Sequence, residues 1–112
     1  MKIAINCCWG GFSLSKEAAE ILGCDEHLRY KDDDGHRKEI SRSDERLISL
    51  IEEKGSEFCS GSSAEIGIAV IPDEATDWRM FEYDGSESVI YVLNGKMWNA
   101  DYIDPDDDDD EM

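Results

Sequence analysis

Residues 2–22 read KIAINCCWGGFSLSKEAAEIL, and the fold turns on how this stretch is parsed. Ile3 and Ile5 share one face of a short strand, and the small Ala4 faces the other way. Both faces can therefore be covered. Gly10-Gly11 breaks the run. Ser15 is the expected N-cap of a helix, with Glu17 in the first turn, where a carboxylate favours the helix dipole. Leu14, Ala18, Ile21 and Leu22 form one helical stripe, and Gly23 sits at the left-handed stop. A strand, a glycine turn and an amphipathic helix thus open the domain.

Downstream, residues 24–41 are weakly patterned. Leu28 and Tyr30 alternate around Arg29, residues 32–35 (DDDG) look like an exposed turn, and residues 38–40 form the return of a small β-excursion. A second helix is clearer. Ser43 is its expected cap, Asp44 and Glu45 fill the first turn, and Leu47, Ile48, Leu50 and Ile51 make an apolar face. Lys54 suits the C-terminal end, Gly55 is the expected stop, and residues 55–63 read as a loop.

Residues 64–71 are the strongest strand. Ile66, Ile68 and Val70 line one face, Ala69 and Ile71 the other, and Pro72 ends it. Residues 78–83 and 88–93 flank Asp84-Gly85, and Asn94-Gly95 repeats that signal before residues 96–98. Such dipeptides supply the positive φ of tight hairpin turns, so the C-terminal half reads as a three-strand antiparallel meander.

The chain has 112 residues, 40% of them apolar, which suits one small domain with a modest core. No apolar run approaches the roughly 20 residues of a membrane helix. Residues 1–5 carry one lysine and no long apolar region, so no signal peptide is expected and a cytosolic protein is. Cys7, Cys8, Cys24 and Cys59 lack Cys-x2-Cys spacing and read as ordinary, partly buried, reduced thiols.

Net charge is −17. Residues 104–112 (DPDDDDDEM) carry seven acids and no base, so ten of those surplus charges belong to the body of the chain. Direct binding to nucleic-acid phosphates is disfavoured, because it needs basic side chains. A basic protein surface is attracted instead.

Candidate chemistry is sparse. The glycine turn offers a ligand or anion site built from Cys8, Gly10, Gly11, Ser13 and Ser15, set against a purely structural turn. It lacks the Gly-Lys-Ser/Thr of a phosphate loop. Cys8 as a nucleophile would need His27 or His36 as a base, and both lie in the weakly patterned segment. His27, His36 and Cys24 match no metal-ligand spacing. No catalytic residue, cofactor or metal site is assigned. Trp9, Trp78, Trp98, Phe12, Phe81 and Tyr83 are expected in the core and in sheet packing; exposed, they would mark a partner surface. Asp32, Asp33, Asp34, Glu52, Glu53, Asp73 and Glu74 could present spaced negative charge resembling a nucleic-acid backbone, against the alternative of a solvated acidic surface.

The opening KIAIN-x-C-W-GGF-x-LS, then Arg42-Ser43-Asp44, Leu47-Ile48 and residues 52–55 (EEKG) form one set of motifs. Ile71-Pro72-Asp73, Trp78 and residues 82–85 (EYDG) complete it. Together they resemble a family of small, mostly uncharacterised proteins of tailed bacteriophages and prophages. The resemblance spans residues 2–92, with residues 24–41 standing where the family often carries a longer insertion. The extra Cys7 and the polyacidic end depart from its pattern. The resemblance implies a viral or prophage setting in a bacterial host cytoplasm, and it carries over no catalytic residue.

The expected fold is α+β: a single domain over 1–103, with two helices on a mixed sheet that contains the N-terminal strand and ends in the meander. A disordered acidic tail is expected over 104–112. The first functional expectation is an accessory protein that binds a basic host protein, as a defence inhibitor or nucleic-acid mimic. The alternatives are a small-molecule or anion binder at Gly10-Gly11 and a virion structural or assembly component.

Overall fold

The computed structural model describes residues 1–103. In chain order its elements are β1 (Lys2–Asn6), α1 (Lys16–Leu22), β2 (Arg29–Lys31), β3 (Arg37–Glu39), α2 (Glu45–Cys59) and β4 (Ile66–Val70). These are followed by β5 (Asp77–Tyr83), β6 (Ser86–Leu93), β7 (Lys96–Asn99) and β8 (Asp101–Ile103). The acidic stretch 104–112, expected to be a disordered tail, lies outside the described residues.

The α+β class holds, with two helices and a C-terminal three-strand antiparallel meander, β5-β6-β7. The single mixed sheet is corrected. Strands fall into three separate sheets, β1-β4-β8, β2-β3 and β5-β6-β7, and all their pairings are antiparallel. β1 is an edge strand of the first sheet and does not join the meander.

Alternation along β1 and β4 explains the layering. The register sets Ile3 opposite Ala69 and Ala4 opposite Ile68. Ala4, Ile66 and Ile68 pack with Leu14, Ala18, Leu22, Leu47 and Ile51 of the helical layer. Ile3, Ile5, Ala69 and Ile71 pack on the other side with Val89 and with the half-buried Trp78, Met80 and Tyr91 of the meander. The central sheet is thus covered on both faces. Each fully buried aliphatic side chain contributes about 1.5–3 kcal/mol of transfer free energy.

Helix α1 starts as expected, with the Ser15 hydroxyl accepting from the Ala18 amide, and it ends at the left-handed Gly23. Ile21, expected in the buried stripe, is exposed; Ala19 takes that place in the core. Asp44, not Ser43, caps α2: its carboxylate accepts from the Arg46 amide. Ser43 is spent in a turn, where its amide donates to the Ser41 hydroxyl.

Gly55 does not end α2. It interrupts the helix at φ 88 and ψ 166, after which helical turns resume to Cys59. Residues 56–59, expected in a loop, therefore bury Ser56 and Cys59. Residues 29–31 and 37–39 form the expected excursion. β8 had no counterpart in the sequence pattern. Its three residues follow the buried corner at Ala100, whose amide donates to the Val89 carbonyl, and the chain crosses there from the meander to β4.

Candidate interaction surface

The glycine turn is packed by protein on two sides. A Cβ at Gly10 would overlap the Ser63 carbonyl. A Cβ at Gly85, in the β5–β6 turn, would overlap the Trp9 carbonyl and the Gly11 amide. Asn6, buried at the end of β1, donates from Nδ2 to the carbonyls of Cys8 (2.7 Å) and Gly85 (2.6 Å). The Cys8 thiol donates to the Ser63 carbonyl at 3.1 Å. Three chain segments meet at this point; their contact accounts for Gly10 and Gly85, and a φ of 86° accounts for Gly11, all without a ligand.

The Ser15 groups expected to hold an anion are engaged as well. The Ser15 hydroxyl caps α1, and its amide donates to Cys59. The Ser13 carbonyl accepts from Gly61. Ser13, Ser15 and the Gly10-Gly11 turn therefore lie along a seam between the N-terminal stretch and residues 59–63.

Beside this seam, Arg42 reaches across to β6. Its two terminal nitrogens contact the Glu87 carboxylate at 2.7 and 2.9 Å, and Nη1 also donates to the Ala4 carbonyl at 3.2 Å. The guanidinium stacks 3.7 Å over the Phe12 ring, and Glu87 accepts further from the Asn6 amide. The Glu87 side chain is only 9% exposed. A bidentate pair with its lone pairs used this fully is a structural clamp between the meander and the rest of the chain.

The acidic candidates divide into separate places. Glu52 on α2 pairs with Lys2, and Asp73 pairs with the N-terminal amine at 3.1 Å, so both gather near the start of β1. Glu53 and Glu74 are exposed. Asp32, Asp33 and Asp34 sit at the tip of the β2–β3 hairpin. There Asp32, Asp34 and His36 bring one ligand-type atom each within 4.8 Å of one another. Asp32 Oδ1 already accepts from the Asp34 and His36 amides, which explains the turn itself.

Two titratable groups near the hairpin base are shifted. Burial, then the neighbouring Asp25 charge, pushes the Cys24 thiol up, against a smaller opposing pull from Arg46. Asp25 is held below the usual carboxylate range, chiefly by the Arg29 and His27 amides that donate to it. Cys59 is buried, Cys8 is half-buried and Cys7 is exposed. His27 and His36 are exposed on the hairpin side of the molecule, and no contact joins either to Cys8.

The aromatic residues overturn the expectation most clearly. Trp78 and Phe12 are half-buried as core lining. Trp9 is 70% exposed, Tyr83 72%, Met97 68% and Phe81 47%, and Trp98 is also exposed. The Trp9 and Tyr83 rings meet edge to face at 6.0 Å. The strand register explains Phe81, Tyr83 and Met97. Trp78, Met80, Val89 and Tyr91 point inward, so Phe81, Tyr83, Ile90 and Val92 share the opposite, outer face. Residues 78–83 carry apolar side chains at both parities, and that double pattern was the sequence signal that both faces of the meander call for cover.

No protein-family model matches the chain, and comparisons with curated proteins and with solved structures return no match. Among the described residues no helix is long and apolar enough to cross a membrane.

Proposed function

We propose that this chain is a small accessory protein of a tailed phage or prophage that acts in the bacterial host cytoplasm by binding a host protein with a basic surface. The observation that carries the reading is charge: the acid excess persists on the body of the chain and is not confined to residues 104–112. Such a surface repels nucleic acid and anionic lipid and draws in cationic proteins. Proteins that handle nucleic acid, host defence effectors among them, present basic surfaces of that kind. Spaced carboxylates on a rigid domain compete for them as a backbone mimic. The phage setting rests on the motif resemblance in residues 2–92.

Affinity capture from bacterial lysate tests this reading. A basic host protein should be retained by the native chain and released when the exposed carboxylates of the body, Glu53, Glu74, Asp77 and Asp84 among them, are neutralised to their amides, with circular dichroism unchanged. Equal capture by both forms would count against it.

A further inference from the structure

The binder reading leaves open where on the molecule a partner sits. The outer face of the meander is the one extended apolar surface that the fold leaves uncovered among the described residues. Phe81, Ile90, Val92 and Met97 border a shallow hollow of about 320 Å³, with Asp77 and Arg79 at its edge. A second hollow of about 250 Å³ adjoins it, lined by Trp9, Tyr83, Glu82 and Ser88. Phe81 belongs to both, so the two form one continuous surface.

Its size limits what can cover it. Strands of seven and eight residues flank the turn. With the four residues of β7, at about 3.3 Å per residue and 4.8 Å between strands, the face spans on the order of 300 Å². That falls in the range of about 300–600 Å² for the largest patch on a monomer, which is often functional. It is under half of the roughly 800 Å² that each partner buries in a standard interface. The remaining contact must come from the surround. Residues 73–101 carry seven carboxylates against two bases, Arg79 and Lys96. A second copy would set acid against acid over most of the interface. A cationic partner would not.

We infer that the outer face of the meander, centred on Phe81 and Met97, docks a cationic protein segment that carries aliphatic or aromatic anchors. The anchors seat in the two hollows, and lysine or arginine side chains between them reach Asp77 and Asp84. The site rests on the binder reading and adds its location and the partner's chemistry.

The test uses the full chain, isotopically labelled, and three short synthetic peptides: lysine alternating with leucine, lysine alternating with serine, and glutamate alternating with leucine. The first should shift backbone amides of β5, β6 and Met97, and bind at least about tenfold more tightly than the other two, a margin of about 1.4 kcal/mol. The double variant F81S/M97S should lose that margin while keeping its melting curve, since both side chains are exposed. Ser88→Lys, which puts a cation opposite Phe81, should weaken the same peptide independently. Tight binding that maps elsewhere would overturn the site and leave the binder reading standing. Equal binding of the glutamate peptide would overturn the cationic assignment. Failure of every peptide to bind would count against the binder reading itself. A concentration-dependent dimer abolished by F81S/M97S would show that a second copy covers the face, and would also overturn the inference.

Discussion

Arg42 and Glu87 stand 45 residues apart in sequence and form a two-pronged ion pair at 2.7 and 2.9 Å. Arg42 precedes α2, and Glu87 lies near the start of β6, so the pair ties the helical layer to the meander. Removing one partner leaves a mostly buried charge uncompensated. Arg42→Met should lower unfolding stability by about 3 kcal/mol in urea titration. A double-mutant cycle with Glu87→Gln should show strong coupling. A loss under 0.5 kcal/mol, the size of an ordinary surface substitution, would show that the clamp contributes little.

Gly55 holds a backbone conformation, φ 88 and ψ 166, that is open essentially to glycine alone. Gly55→Ala should therefore cost about 1–3 kcal/mol. In an uninterrupted helix the same change would stabilise by up to about 1 kcal/mol. The sign of the shift in urea midpoint separates a kinked helix from a straight one.

Ser63 packs against Gly10 and Gly85 against the Gly11 amide, so added anions should find no place there. Thermal unfolding with millimolar phosphate or nucleotides should show no rise in Tm. A ligand present at a hundredfold its Kd would add about 2.7 kcal/mol, which such a scan resolves easily. A clear rise would restore the small-molecule alternative.

Asp25 carries a depressed carboxylate, held by the Arg29 and His27 amides. A pKa that is lower in the folded chain than in the unfolded one means that stability is gained above the unfolded value. It is lost as pH falls through the folded value. Carbon-detected NMR titration should place the Asp25 midpoint below the ordinary aspartate value. In Asp25→Asn, acid loosening of the β2–β3 hairpin should lose that contribution.

Where local chemistry is strong, the fold was legible. Asp84-Gly85 and Asn94-Gly95 adopt the positive φ that their turns demand, and the meander follows. Leu47, Ile48, Leu50 and Ile51 are all buried as their spacing implied. Ser15 and Gly23 bound α1 as expected. What escaped was tertiary. β8 is only three residues, Asp101, Tyr102 and Ile103, and its place is set by pairing with β4. The crossing from the meander to the first sheet turns at Ala100, and an alanine gives no such signal. The exposure of Trp9, Phe81 and Tyr83 depends on which side of the meander meets β1, and alternation fixes parity but not direction. Among the candidate site residues, those of the glycine turn came together as a structural seam. The acidic residues did not form a single cluster.

Salt dependence of complex formation tests the central claim most directly. The purified chain should be titrated calorimetrically with the host protein it captures, at low and at high sodium chloride. Affinity should fall steeply as salt rises, because attraction between an acidic domain and a basic surface is screened. Affinity that stays constant across that range would contradict recognition by charge.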